Sequence, residues 1–489
     1  MKNTCFSRVN AALERIYLHF FLFRCILYKK HLQDFIYNMM NWKQLLSPKR
    51  VGDPNPDRGY SSERSPFQQD FDRIVFSGAF RRLQDKTQVF PLVKTDYVRT
   101  RLTHSLEASS IGRSLGTACG AFIAKNFDIG SMHPSDVGAI VATAALAHDI
   151  GNPPLGHAGE EAIRHWFVNS ESGRFYQRTL SREQISDIEF YEGNAQGFRV
   201  ITRLEMPDRP GGMRLTAATL GAFAKYPTAS PLSGRPAGIS GKKFSFFQTE
   251  KNTFRKVADT CGLIQVGEWA WKRHPLAYLV EAADDIAYLI VDFEDGHRLG
   301  LVDYHELEER FLEIINSPGS EEYVKKLESP VRKAEFLRAK AIGVLIGKVT
   351  SAFIDHHEEL INGELDKSLT DYLDCAETLH KIRKRSASGI YNHRSVAEVV
   401  GAGFEMVSGL LDVFVPCVDE LAREYKGGSP ASYRSKRLAA MLPFYTVESE
   451  NEFWLNETYF RLIGILDFVS GMTDSYAVSL HQKLKGISL

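Results

Sequence analysis

The feature that most constrains this fold is an apolar helical run, residues 137–147, which ends in the pair His148-Asp149. The run stops there because Gly151 readily adopts the left-handed conformation that ends helices, and the two prolines after it cannot donate helical hydrogen bonds. Unpaired carbonyl groups and the negative end of the helix dipole therefore lie beside the pair and favour a bound cation. Because neighbouring helical residues point to different faces, both side chains can reach one ion only at such an irregular end.

A His-Asp pair alone is common, so the prediction of a site depends on two other segments. Upstream, Arg101 and His104 are three residues apart in a helical pattern and project from the same side. Downstream, a largely apolar helical segment carries Asp284, Tyr288 and Asp292 at intervals of four. Buried carboxylates are costly without partners, so this stripe requires a metal, a base or a ligand. Taken alone, this stripe is better explained by a buried hydrogen-bond network than by a metal or ligand site.

Together these segments supply four candidate metal ligands, His104, His148, Asp149 and Asp284. Two imidazoles and two carboxylates form a mixed nitrogen and oxygen set that suits Mg, Mn, Fe, Ni or Zn, and the sequence does not choose among these metals. A divalent ion held by them could lower the pKa of water to about 7 and polarise a phosphoryl oxygen. The predicted chemistry is hydrolysis of a phosphoester.

The ligand order H…HD…D is the signature of the HD superfamily of metal-dependent phosphohydrolases. More specifically, the chain resembles the bacterial dGTP triphosphohydrolase family, from about Trp42 to near the C-terminus with gaps. The segments that carry this resemblance are QDKTQVFPL (84–92), RTRLTH (99–104), HDIGNPPLGH (148–157), EGNAQG (192–197), EAADDIAY (281–288) and SGMTD (470–474). The resemblance implies a mostly α, HD-domain helical fold. It also implies cleavage of dGTP between the 5′ oxygen and the α-phosphorus, which gives deoxyguanosine and inorganic triphosphate.

The resemblance also implies roles for individual side chains. His157 and Glu160, three residues apart, match the pair that handles proton transfer at the cleaved ester, with the carboxylate holding the imidazole. The predicted substrate-binding residues are Gln88, Val89, Arg101, Asn152, Lys225, Lys243, Tyr288 and Asp292.

Among these residues, the two lysines match phosphate-binding positions and Gln88 matches a contact to the 3′ hydroxyl. Tyr288 and Asp292 match deoxyribose contacts, and Tyr288 packed against C2′ would disfavour a ribonucleotide. Val89 is expected near the base. Residues 398–404, where guanine-reading groups would be sought, depart from the family pattern, so the preference among dNTPs stays open.

Composition and charge are those expected of a cytoplasmic enzyme. Lys plus Arg equals Asp plus Glu, at 60 each, so the net charge does not indicate a nucleic-acid partner. The six cysteines have no CxxC spacing, which is typical of reduced thiols. Residues 16–28 are apolar but contain His19 and Arg24, and they are shorter than the roughly 20 residues of a bilayer span. We therefore predict no membrane segment there.

The predicted domain organisation is one helical body, residues 42–489, after an extension, residues 1–41. The body divides into an HD metal core at about 99–300 and a helical C-terminal region at about 301–489. The extension reads either as an added amphipathic helix or as a mis-assigned start. The one β element that the pattern allows is a short hairpin around residues 238–248.

The family resemblance further implies a homo-oligomer, often a hexamer, and an effect of single-stranded DNA in some members. The basic run 381–385 is a candidate DNA contact, although such runs are more often solvated helix faces. Two alternatives stay open at this stage: an HD-type 5′-nucleotidase or phosphodiesterase, and a non-catalytic module that senses nucleotides or single-stranded DNA. The intact set of ligand and proton-transfer residues argues against the non-catalytic module.

Overall fold

The computed structural model describes residues 39–55, 64–88, 99–230, 238–391, 394–443 and 455–487. Val89 and residues 1–38 of the predicted extension lie outside the described residues. Within the described parts almost all regular structure is helical, so the prediction of a mostly α fold is confirmed.

The helices begin where the sequence supplies capping side chains. The Ser65 hydroxyl, for example, accepts a hydrogen bond from the backbone of Gln68, and Pro66 follows it as the first helical residue. In chain order the described helices are α1 (Trp42–Leu45), α2 (Pro66–Val75), α3 (Gly78–Arg82), α4 (Arg101–Asn126), α5 (Pro134–Ala147), α6 (His157–Asn169), α7 (Glu171–Thr179), α8 (Arg182–Glu189), α9 (Gly193–Arg199), α10 (Ala217–Phe223), α11 (Lys251–Cys261), α12 (Pro275–Ile286), α13 (Asp292–Arg298), α14 (Tyr304–Ile315), α15 (Pro318–Lys326), α16 (Pro330–Asp355), α17 (His357–Asn362), α18 (Ala376–Ser386), α19 (Arg394–Tyr425), α20 (Tyr433–Ala439), α21 (Thr458–Ser470) and α22 (Asp474–Leu484).

Helices α4 and α5 form the most extensively packed pair, and glycine lets their backbones approach closely. A Cβ atom at Gly116 would lie 2.8 Å from the Val137 carbonyl oxygen, and one at Gly120 would lie 2.7 Å from that of Pro134. Because these two glycines are four residues apart, they share one face of α4. These contacts fix the start of α5, the helix that leads to His148, against the second half of α4, the helix that carries His104.

The predicted hairpin at residues 238–248 is wrong. Gly238–Gly241 forms a short 3-10 turn, and Phe244, Phe246 and Phe247 after it are all buried. A half-exposed strand needs alternating burial, which this segment lacks. The two short strands that the structure describes, β1 (Gln265–Gly267) and β2 (Ala270–Trp271), pair antiparallel further along the chain.

Two apolar cores support the described helices. The larger one contains α4, α5, α12 and α16, and the second lies between α6 and the C-terminal helices α19, α21 and α22. One segment, Ala397–Tyr425 within α19, is long and apolar enough to cross a membrane, and 44% of its most apolar window is buried inside the protein. Its buried side chains, among them Leu410 and Phe414, belong to the second core.

Candidate metal and phosphoester site

Three of the four predicted metal ligands converge at the junction of α4, α5 and α12. The Nε2 atom of His104 lies 3.1 Å from Oδ1 of Asp284, and the Nε2 atom of His148 lies 3.3 Å from the same oxygen. One ligand atom from each of these residues lies within 4.8 Å of the other two. The sequence separates these residues by up to 180 positions, so the fold assembles the cluster.

The end of α5 orients the second histidine. His148 caps the helix, and its Nδ1 atom lies 2.6 Å from the carbonyl oxygen of Ala145. A carbonyl only accepts, so Nδ1 carries a hydrogen and Nε2 is the ring atom that faces the cluster. The buried Nδ1 atom of His104 has no hydrogen-bond partner among the described residues.

Asp149 lies beside this three-residue group rather than within it. Its Oδ1 atom is 3.6 Å from Nε2 of His148, and its Oδ2 atom accepts a hydrogen bond from Nη1 of Arg101 at 2.7 Å. The side-chain amide of Asn152 donates to Oδ1. Arg101 and Asn152, both predicted to bind substrate, therefore hold the predicted ligand Asp149 in this structure.

The electrostatics of the cluster keep both carboxylates ionised. Burial would raise the pKa of Asp284, but Lys225, His148 and His104 outweigh it and hold that pKa well below its usual range. Burial is likewise outweighed at Asp149, chiefly by Arg101, so the pKa of this carboxyl is also lowered. Burial would lower the pKa of His148, yet the two carboxylates raise it.

The donor set fits a divalent cation. Two imidazole nitrogens and a carboxylate oxygen converge within ligand reach, and one predicted further carboxylate lies alongside. Such a mixed set is typical of first-row transition metals and related divalent ions. Two like-charged carboxylates beside buried imidazoles are the arrangement that a cation would satisfy.

The predicted proton-transfer pair is formed as expected from its spacing. The Nδ1 atom of His157 lies 2.9 Å from Oε2 of Glu160, and the backbone N–H of Gly193 donates to Oε1 at 2.7 Å. Glu160 is buried, whereas 79% of the His157 side chain is exposed. Burial would raise the pKa of Glu160, but its contacts with His157 and with Lys243 lower it. A buried, ionised carboxylate thus holds an exposed imidazole.

No protein-family model matches the chain, but comparison with curated proteins finds relatives along most of its length. A protein of Synechocystis sp. named deoxyguanosinetriphosphate triphosphohydrolase-like is 41% identical over 461 residues, which cover 92% of this chain and 100% of the relative. A Listeria monocytogenes protein with the same name is 36% identical over 474 residues, with the same coverage. The chain belongs to the deoxyguanosinetriphosphate triphosphohydrolase family. A Klebsiella pneumoniae protein named deoxyguanosinetriphosphate triphosphohydrolase is 29% identical over an aligned length of 517 residues. The alignment covers 92% of this chain and 98% of the relative.

In this triphosphohydrolase family member the two predicted phosphate lysines occupy different surroundings. Lys225 is buried, and its Nζ atom lies 2.6 Å from Oδ2 of Asp284, which together with other acidic groups raises the lysine pKa. Lys243 instead pairs with Glu192 at 3.0 Å, next to the pair of His157 and Glu160. The structure therefore places one lysine beside the cluster of His104, His148 and Asp284, and the other beside the pair of His157 and Glu160.

The predicted sugar contacts include a partner that the sequence reasoning missed. Tyr391 stacks on Tyr288, with ring centroids 5.5 Å apart and planes 17° apart, and its hydroxyl donates to Oδ2 of Asp292 at 3.1 Å. Burial raises the pKa of Asp292 to about 7, and its Oδ1 atom has no partner among the described residues. The buried Oε1 atom of Gln88 likewise has none. No local pattern around Tyr391 marks it, because its role depends on a contact across 99 residues.

The stripe of Asp284, Tyr288 and Asp292 is not a regular α-helix. The turn Ala287–Val291 between α12 and α13 is a π-helical segment, which changes the direction of the side chains after Asp284. Asp292 is buried at the start of α13. This irregular turn separates the metal ligand from the predicted sugar contacts.

Proposed function

We propose that this protein is a metal-dependent hydrolase that converts dGTP to deoxyguanosine and inorganic triphosphate. The observation that carries the proposal is the convergence of His104, His148 and Asp284, with Asp149 alongside, at a partly buried site beside Arg101 and Lys225. These four side chains would hold the divalent ion, which, when bound, activates water and polarises the α-phosphoryl group. Mg, Mn, Fe, Ni and Zn are all compatible with the donor set.

Positive side chains around the cluster would bind the triphosphate. Arg101 uses one guanidinium nitrogen to hold Asp149, while its buried Nε–H has no partner among the described residues. A phosphate oxygen is a suitable acceptor for that N–H group, since charge-assisted bonds to guanidinium are strong. Lys225 and Lys243 add two more positive charges, and Asn152 lies on the same wall as Asp149.

His157 is assigned to the leaving group. Its Nδ1–H donates to Glu160, so Nε2 is the atom that can carry a proton to the 5′ oxygen as the bond to phosphorus breaks. The ionised Glu160 accepts the Nδ1 hydrogen and so fixes the orientation of the ring. Water supplies the oxygen that remains on the released triphosphate, and deoxyguanosine leaves as the neutral alcohol.

The stacked pair of Tyr288 and Tyr391 would form one wall of the sugar site. Tyr391 holds Asp292, which can accept a hydrogen bond from the sugar through its unpartnered oxygen. A 2′ hydroxyl pressed against an aromatic ring would find no partner, which disfavours ribonucleotides. Gln88 and Val89 complete the predicted contacts, at the 3′ hydroxyl and near the base.

The proposal extends to the organisation of the protein. We propose a single catalytic body, residues 42–489, that acts in the cytoplasm as a homo-oligomer, with the hexamer as the expected form and single-stranded DNA as an effector to be tested. The relatives support the catalytic body, because they match 92% of this chain along nearly their full length. Other dNTPs are expected to be alternative substrates of the same site.

The experiment is a panel of the four dNTPs and GTP with added manganese, with the products separated by anion-exchange chromatography. We expect inorganic triphosphate and nucleoside from dGTP and little turnover of GTP. His148→Ala and Asp149→Ala should abolish both turnover and metal binding, whereas Glu160→Ala should lose turnover and keep the metal. Glu161→Ala, which removes an exposed carboxylate from the same helix, is the matched control and should be active.

Release of inorganic monophosphate would favour a 5′-nucleotidase instead. Nucleotide binding without any product would favour a sensing module. Normal turnover in all three site variants would show that the chemistry lies elsewhere in the protein.

A further inference from the structure

The carboxylate of Asp474, at the start of α22, joins two segments of the substrate site that are far apart in sequence. Its Oδ2 atom accepts hydrogen bonds from the backbone N–H of Thr87 at 2.9 Å and from the Thr87 hydroxyl at 2.6 Å. Its Oδ1 atom accepts from the backbone N–H of Leu155 at 2.9 Å. Asp474 is 1% exposed, so these three donors take the place of water around a buried carboxyl group.

A buried lysine makes a second connection among the same segments. Nζ of Lys86 donates to the carbonyl oxygens of Asn152 at 2.5 Å and Ser470 at 2.8 Å. Burial lowers the pKa of Lys86 to about 7, and the nearby Asp474 opposes that shift. The hydrogen-bonded set, which we term the Asp474 clamp, consists of Lys86, Thr87, Asn152, Leu155, Ser470 and Asp474.

One side of the clamp sets the position of the arm that carries Gln88. Thr87 precedes Gln88 directly and pairs with Thr100 as an isolated antiparallel bridge. The backbone N–H of Arg101 donates to the Lys86 carbonyl at 3.0 Å. Fixing residues 86 and 87 therefore fixes Gln88 relative to Arg101, on the predicted phosphate and sugar side of the site.

The other side of the clamp sets the turn that carries His157. Leu155 has φ +61° and Gly156 has φ +58°, so the chain passes through two left-handed residues directly before α6 begins at His157. Leucine disfavours this conformation, because its Cβ crowds the backbone. The hydrogen bond from the Leu155 N–H to Asp474 stabilises the turn in the conformation that presents His157.

The segment from Ser470 to Asp474 is itself held in place by packing. Met472 is 3% exposed and belongs to the second core, and the Ser470 hydroxyl lies 2.7 Å from that of Tyr191. Hydrogen bonds to Lys86, Thr87 and Leu155 connect this anchored segment to the two segments of the predicted substrate site.

We propose that Asp474 is a positioning residue for the reaction: its carboxylate holds the turn before His157 and the arm that carries Gln88 in register with each other. The inference rests on the proposed function, because it assigns consequence to the proton transfer by His157. It makes the C-terminal segment 470–474 part of the active-site framework without contact between Asp474 and the substrate.

The test is Asp474→Asn, which keeps the side-chain volume but replaces one accepting oxygen with an NH₂ group that must face a donor. We expect kcat for dGTP to fall roughly tenfold to hundredfold, as for other small misplacements of reacting groups. Manganese affinity should stay within about twofold of wild type, because no cluster ligand is touched. Ser475→Ala is the matched control, since its hydroxyl donates to Asp85 at 2.8 Å on the exposed side of the same junction. It should leave both kcat and KM unchanged.

A double-mutant cycle separates positioning from general damage. In a His157→Gln background, Asp474→Asn should lower the residual kcat, measured at saturating dGTP, by less than about threefold, because the proton-transfer group that it positions is already absent. An equal loss in both backgrounds, or a kcat within about twofold of wild type in the single variant, would overturn the proposal.

If Asp474→Asn does not fold, Thr87→Val tests the Asp474 clamp instead, because this substitution removes only the 2.6 Å hydrogen bond from the Thr87 hydroxyl to Asp474. We expect Thr87→Val to raise KM for dGTP at least about threefold, and an unchanged KM would refute the clamp. Product analysis of the wild-type enzyme is independent of these comparisons. A wild-type product other than inorganic triphosphate and nucleoside would reject the proposed function. The kcat and KM of the variants relative to wild type test the Asp474 clamp.

Discussion

Replacing Asp187 with asparagine should make the protein gain stability relative to wild type as the pH rises. Asp187 lies on α8 and is fully buried. Its Oδ2 atom accepts hydrogen bonds from the backbone N–H of Gln248, at 2.8 Å, and from the Tyr459 hydroxyl. These bonds tie the segment that follows Lys243 to α8 and α21. Burial raises the pKa of Asp187 to about 7, despite those donors.

The raised pKa sets the sign and the size of the effect. The folded state binds this proton more tightly than the unfolded state, in which the pKa of an aspartic acid is near its ordinary value of 3.8. The stability from Asp187 is therefore fully present below that value and is lost as the pH rises through about 7. A pKa rise of ~3 corresponds to a total loss of ~4 kcal/mol in the free energy of unfolding. Of this loss, ~3 kcal/mol occurs between about pH 5 and about pH 8.5. Asparagine does not ionise, so the variant avoids this loss.

The assay is thermal unfolding of both proteins across that pH range, followed by circular dichroism. With an unfolding entropy of about 2.1 cal/mol/K per residue, ~3 kcal/mol corresponds to a relative Tm change of about 3 °C for a chain of this length. Any constant packing cost of the amide cancels, because only the change with pH is compared. Glu189→Gln, an exposed carboxylate on the same helix, is the control and should run parallel to wild type. If the Tm of Asp187→Asn changed with pH in the same way as the Tm of wild type, the assigned role of the Asp187 carboxyl would be refuted.

Two further substitutions probe the site itself. Tyr391→Phe keeps the ring stack but removes the hydroxyl that donates to Asp292. The value of kcat/KM for dGTP in steady-state assays should therefore fall about tenfold. An unchanged kcat/KM would contradict the proposal that Tyr288 and Tyr391 form a wall of the sugar site. Gly156→Ala should lower dGTP turnover at least about tenfold, because the new Cβ would lie 2.2 Å from Nη2 of Arg101 at a positive φ. Gly130→Ala carries a similar φ with nothing within 4 Å, so equal losses of activity in both variants would point to backbone strain alone.

The parts of the site that the sequence predicted are those encoded locally. The end of α5 at His148 follows from a glycine and two prolines within six residues, and the contact of His157 with Glu160 follows from helical spacing. Both signals act over a single turn of chain. Their geometry could therefore be anticipated without knowledge of the tertiary fold.

The parts that could not be predicted depend on long-range packing. Tyr391 reaches Asp292 across 99 residues, and Asp474 reaches Thr87 across 387. A periodic pattern carries no information on such pairs, because many folds place the same helices differently. The misplaced hairpin has a related cause: the segment around Phe246 has strand-like composition, but tertiary packing buries its aromatic residues together rather than on alternate faces.

The arrangement of charge at the cluster explains how Asp149 and Asp284 can lie close together as ionised carboxylates. Arg101 engages Oδ2 of Asp149, and Lys225 engages Oδ2 of Asp284, so each carboxylate has one oxygen neutralised by a cation. The other oxygen faces His148 in both residues: Oδ1 of Asp149 lies 3.6 Å from Nε2 of His148, and Oδ1 of Asp284 lies 3.3 Å from the same atom. The two cations offset the repulsion that would otherwise raise one carboxyl pKa. The predicted ligand atoms are thus held ionised by residues that are themselves proposed to contact the triphosphate, so the proposed ion site and the proposed substrate site would be coupled.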